Sequence, residues 1–128
     1  MDLYERLYDA IVDAELPFKT MLGFLPEQKD IVCLYPLPGS QTVEQYFDGT
    51  KEREMLYEIG FRTNDQQKAN EVLWKITEYL DTFAKIESEN DSFSFNSLEV
   101  SEMPFISEMD IDGLNTFLLD LKVNIDQF

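Results

Sequence analysis

Residues 55 to 83 place two different periodicities end to end, and a chain carrying both has few ways to fold. Met55, Tyr57, Ile59 and Phe61 alternate with Leu56, Glu58, Gly60 and Arg62, the period of two that belongs to a strand with one buried face. Thr63, Asn64 and Asp65 break the alternation. Ala69, Val72, Leu73, Ile76, Leu80 and Phe83 then fall on one stripe at helical spacing, with Lys68, Glu71, Lys75, Glu78 and Asp81 turned away. Asn64 stands where an N-cap is needed, and Gln67 three residues later completes a capping-box pattern. A strand leading straight into an amphipathic helix predicts a sheet face with a helix lying on it.

The flanking segments extend this unit. Leu3, Tyr4, Leu7 and Ile11 predict a helix over 3–14, ended by the approach to Leu16-Pro17, because the residue before a proline is pushed out of helical geometry. Phe18, Met21, Leu22, Phe24 and Leu25 form a compact apolar segment, read as a short helical turn closed by Gly23 and Pro26. Ile31 to Tyr35 predicts a short buried strand, stopped by Pro36-Leu37-Pro38-Gly39-Ser40. Thr42, Val43, Tyr46 and Phe47 suggest a second strand, Asp48-Gly49 a turn, and Thr50, Lys51 and Glu52 the loop before the strand at Met55. Downstream, Glu87 to Ser92 reads as a loop interrupted by Phe93 and Phe95. Leu98 and Val100 alternate with Glu99 and Ser101 in an edge strand limited by Pro104. Phe105, Ile106 and Met109 are read as a linking stretch before a turn at Asp112-Gly113. Phe117, Leu119, Leu121, Val123 and Ile125 alternate with Leu118, Asp120, Lys122, Asn124 and Asp126 in a last strand. The expected fold is α+β: one antiparallel β-sheet with helices packed on one face, in a single domain over 1–128.

Charge narrows the function. Ten Lys and Arg against 26 Asp and Glu give a formal net charge of -16. Such a surface repels phosphate backbones and supplies no basic stripe for counterion release, so sequence-specific nucleic-acid binding is not expected. Self-repulsion that keeps the protein soluble accounts for most of these carboxylates. The same charge also suits a surface past which DNA slides, or one that imitates DNA.

The chemistry-bearing residues exclude more than they suggest. Without histidine, neither a Cys/His pair, a Ser/His/Asp triad nor an imidazole metal site can be assembled. Cys33 is the only cysteine, which rules out an internal disulfide, and its apolar run marks it as a buried, inert thiol. Asp110 and Asp112 precede Gly113, but the bidentate Glu of a calcium loop does not follow, so the segment reads as a turn. Glu52, Glu54 and Glu58 with Arg53 and Arg62 read as a solvated edge rather than an acid–base pair. Pro36 to Gly39 lacks the glycine spacing of a phosphate loop. The reading is a protein without catalytic residues, metal or cofactor. The first residues lack the basic start and apolar run of a signal peptide, and no stretch reaches the roughly 20 apolar residues that cross a bilayer. The chain is therefore read as soluble and without a membrane partner.

Four aromatics stand apart. Trp74 and Tyr79 lie off the helix's apolar stripe, and Tyr46 and Phe47 precede the Asp48-Gly49 turn. Displaced aromatics are enriched at protein contacts, which makes these four the candidate subunit interface. A wide apolar arc covered by the first helix explains Trp74 and Tyr79 equally well.

One order of residues is distinctive. The apolar strand followed by Pro36-x-Pro38-Gly39, then Tyr46-Phe47-Asp48-Gly49, then Leu56 to Arg62, then Asn64-Asp65-Gln66-Gln67-Lys68-Ala69-Asn70-Glu71 leading to Leu80, resembles the tail terminators among the minor capsid proteins of long-tailed phages and prophages. That resemblance implies an α+β homo-oligomer, a hexameric ring at the head-proximal end of the tail tube. There it would stop tube polymerisation and join the tail to a head-side connector protein, in the virion neck or, during assembly, in the host cytoplasm. The partners it implies are further copies of the chain, the tail tube protein and the connector. A rival reading from the charge alone is an acidic DNA mimic of the antirestriction type. Its carboxylates would follow one face at phosphate spacing, whereas here they are spread among turns, helix surfaces and both ends.

Overall fold

Among the described residues, two helices and six strands follow in order as α1 (Leu3–Asp13), β1 (Lys19–Leu22), β2 (Ile31–Pro36), β3 (Gln41–Gln45), β4 (Lys51–Thr63), α2 (Gln66–Thr82), β5 (Phe93–Met109) and β6 (Asn115–Gln127). The computed structural model describes residues 2–16, 18–23, 30–82, 86–109 and 115–128, with side chains outside 82 and 101–109. The strands form one sheet in the order β1-β2-β4-β6-β5, and β3 also pairs with β4. All pairings are antiparallel except β1 with β2, which is parallel. The architecture is the expected α+β, a mostly antiparallel sheet carrying two helices.

β4 and β6 form the spine. They pair in unbroken register from Lys51↔Gln127 to Thr63↔Asn115. The period of two puts Tyr57, Ile59 and Phe61 opposite Leu121, Leu119 and Phe117, all buried on the helix-bearing face. Val32 and Leu34 of β2 join them, and α2 contributes Ala69, Val72, Leu73, Ile76 and Leu80. This is the stripe read from the sequence; Phe83, its last member, lies outside the described residues.

α1 buries Leu3, Leu7, Ala10 and Ile11 in the same core. Its tyrosines hold the β1–β2 side of the sheet. The Tyr4 hydroxyl donates to the Leu34 carbonyl at 2.6 Å and accepts from the Gly23 amide at 2.9 Å, while the Tyr4 ring stacks on Tyr57 at 5.9 Å. The Tyr8 hydroxyl donates to the Thr20 carbonyl at 3.2 Å. Asp2, before α1, makes no side-chain cap bond. Its carboxylate instead accepts from the Ser88 hydroxyl at 2.7 Å, the Glu89 amide at 2.8 Å and the Ser92 hydroxyl at 3.1 Å. Burial alone would raise its pKa, but these donors together hold it below the usual range.

The structure corrects the sequence reading at several elements. Lys19–Leu22 is a strand, not a helical turn, because its backbone pairs with β2; Phe24, Leu25 and Pro26 lie outside the described residues. β4 begins at Lys51, so Lys51 and Glu52 belong to the strand rather than the loop. The cap of α2 is Asp65, not Asn64: its carboxylate accepts from the amides of Gln67 at 3.1 Å and Lys68 at 3.3 Å, while the Gln67 side chain turns to Glu71. Finally, β5 starts at Phe93 and runs through Pro104 to Met109, so Phe105, Ile106 and Met109 lie in the strand. Pro104 falls where the register shifts between Glu102↔Asp120 and Phe105↔Leu118, on an edge strand, the setting that tolerates a residue without an N–H. The expected turn at Asp112-Gly113, with Asp110, lies outside the described residues.

Candidate functional site

β2 and β3 occupy one edge of β4 in succession. β2 pairs with Tyr57–Phe61 and β3 with Lys51–Glu54, and Pro36 to Ser40 bridges them. The bridge stays close to β4: the Leu37 amide donates to the Leu56 carbonyl at 2.9 Å and the Leu56 amide to the Ser40 hydroxyl at 3.2 Å. Gly39 has φ +105, a conformation that favours glycine, and a Cβ there would meet Leu56 Cδ1 at 3.2 Å.

Beyond this bridge the chain forms the β3–β4 hairpin, whose β3 strand stands outside the core. Every residue of β3 is exposed, and the register shifts between Thr42 and Glu44. The tip is set by its own hydrogen bonds. The Gly49 amide donates to the Tyr46 carbonyl at 3.1 Å and the Tyr46 amide to the Thr50 carbonyl at 2.8 Å. The Asp48 carboxylate accepts from the Thr50 amide at 2.9 Å, which holds its pKa below the usual range. Gly49 has φ +91, a conformation that costs glycine little. Tyr46 and Phe47 therefore sit in the turn rather than in a strand. Tyr46 is 42% exposed and Phe47 113% exposed, as free as a side chain can be.

The other two expected aromatics are on α2. Trp74 is 44% exposed, whereas Tyr79 is half-buried. Neither belongs to the buried core cluster.

An apolar cavity of about 370 Å³ opens beside the first turns of α2, lined by Phe18, Lys68, Glu71, Val72 and Lys75. Its floor is tied to the core by Phe18 against Phe61 at 5.3 Å, and the Lys68 ammonium stands over the Phe18 ring at 5.3 Å. Lys68 also meets Asp30 at 3.8 Å, and Lys75 donates to the Glu15 carbonyl at 3.2 Å. The sequence reading missed this cavity, because its wall is made by Phe18 meeting α2 across about fifty residues of chain. A second cavity, of about 580 Å³, is lined chiefly by Ile86, Glu87, Asp91, Phe93 and Phe95, and its charged members are acidic.

The sheet face away from the helices is polar. Glu52, Glu54 and Glu58 of β4 lie opposite Asp126, Asn124 and Asp120 of β6, with Lys122 and Arg62 among them. Tyr35 donates its hydroxyl to Glu58 at 2.5 Å, and burial followed by this bond pushes the phenol far above its ordinary value. Cys33 lies opposite Gly60 and is fully buried, with its thiol pushed up by burial, as an inert side chain should be. Among the described residues no three acidic or cysteine side chains gather as metal ligands, and no helix is long and apolar enough to cross a membrane.

Fold and surface thus define an α+β protein whose distinguishing exposed features are aromatics and carboxylates around a closed core. The chain matches the family model described as bacteriophage tail terminator protein over residues 7–127, nearly its whole length. It belongs to that family. A comparison with curated proteins found no match. The family match gives the DNA-mimic alternative no support.

Proposed function

We propose that the chain is a structural tail terminator without enzymatic activity, folding as one domain and assembling into a closed ring on the head-proximal end of the tail tube. There it stops tube polymerisation and receives the head-side connector. The observation that carries this reading is the family match across residues 7–127. A ring needs two different complementary patches on each subunit, so that head-to-tail contacts close by rotation. Tyr46 and Phe47 on the hairpin supply one exposed aromatic patch; Trp74, with Tyr79 at its margin, supplies another on α2. The carboxylates Glu52, Glu54, Glu58, Asp120 and Asp126 share one sheet face. A wall of that charge around the bore lets DNA pass without holding it.

Size-exclusion chromatography with light scattering over a range of concentrations, with negative-stain imaging of the protein alone and mixed with isolated tail tubes, tests the proposal. Rings, free or seated on one tube end, are expected. A strict monomer that leaves tubes uncapped, and instead competes with DNA for a nuclease, refutes it.

A further inference from the structure

We propose that the hairpin tip of one copy docks into the α2 cavity of the next, with Phe47 seated against Phe18 and Val72 and the acidic flanks of the tip facing Lys68 and Lys75. The inference rests on the ring reading and names the contact that would build it. Phe47 is fully exposed, on a turn held by three hydrogen bonds, so little order is lost when it is buried. Asp48 follows it directly and Glu44 lies three residues before it. The cavity of about 370 Å³ is lined by Phe18 and Val72 with Lys68, Lys75 and Glu71. Asp30 answers Lys68 and Glu71 shares the lining, but Lys75 meets only the Glu15 backbone carbonyl, so in a chain with ten Lys and Arg against 26 Asp and Glu it is the cation left to face an acidic tip. The larger cavity carries Glu87 and Asp91, which repel the same tip.

Geometry excludes docking within one copy. The tip adjoins the first residue of β4, whereas α2 begins just past its last; the 13 residues between span about 40 Å at strand rise. Lys68 to Lys75 occupy the first turns of α2, so tip and cavity lie on the order of 25–30 Å apart. A knob at one end and a socket toward the other give a contact that is not its own mirror, which propagates in one direction and closes into a ring.

Disulfide trapping tests it. Asp48→Cys and Lys75→Cys, both at exposed positions, are prepared separately and mixed under mild oxidation, with Cys33 alone as the baseline. The expected result is a heterodisulfide dimer from the mixture and a ladder from the double variant. Phe47→Ala lowers the self-association constant at least roughly tenfold with an unchanged melting temperature. Asp48→Lys and Lys75→Glu each weaken association, and the two in one chain restore it. Rings that persist in Phe47→Ala without the Asp48–Lys75 cross-link overturn this contact and leave the ring standing. Phe47→Ala that loses tube capture but keeps self-association assigns the tip to the tube protein instead. A chain that neither self-associates nor caps tubes overturns both.

Discussion

Ile76 and Trp74 sit two residues apart on α2, and the structure assigns them opposite fates. Ile76 is 0% exposed in the core under the sheet; Trp74 is 44% exposed. Ile76→Ala removes buried methylenes and leaves a cavity, a loss of about 3 kcal/mol within the usual range of roughly 2–5. With about 2.1 cal/mol/K of unfolding entropy per residue over 128 residues, that loss lowers the melting temperature by about 10 °C. Trp74→Ala removes a larger side chain that lies partly in solvent, so it leaves no enclosed cavity and a smaller shift than that of Ile76→Ala is expected. Thermal unfolding followed by circular dichroism, at matched protein concentration and pH, reads both values. Equal shifts, or a larger one for Trp74→Ala, would mean that α2 meets the sheet on a different stripe. Ile76→Asp extends the series: an unpaired charge beneath the helix leaves no folded species.

Two further outcomes follow from local chemistry. Asp65→Ala removes the acceptor of the first free amides of α2 and is expected to cost about 1 kcal/mol, while Asn64→Ala costs a few tenths; paired thermal melts that reverse this order refute the cap assignment. Burial pushes the Tyr57 hydroxyl up to about 12. Because the folded state holds this proton more tightly than the unfolded one, its contribution is complete below pH 10 and lost as pH rises towards 12. Tyr57→Phe should therefore flatten the decline in melting temperature over that window; an unchanged slope shows that Tyr57 does not titrate with unfolding.

The elements legible in the sequence were those whose apolar faces are covered. Tyr57, Ile59 and Phe61, the run from Phe117 to Ile125, and the stripe from Ala69 to Leu80 each display the period of their backbone because one side meets the core. The same logic explains the misses. Lys51 to Glu54 and β3 are strand without alternation: these four positions of β4 are all charged and every residue of β3 is exposed, so no apolar period marks them. Lys19–Leu22 is too short to show a period, and β2 supplies its reason to extend. Asn64 and Asp65 are adjacent residues of nearly equal capping strength, and only the chain's path into α2 separates them.

The sequence by itself determined that this is an acidic α+β protein with a helix-covered sheet and no histidine chemistry, because composition and periodicity are properties of the chain alone. Tertiary structure decided what its surface offers. Phe47 became a projecting tip only when β3 folded back on β4. The cavity at Phe18 exists only because two distant segments pack together. A binding surface is a relation between residues far apart in the chain, and no local pattern encodes where they meet.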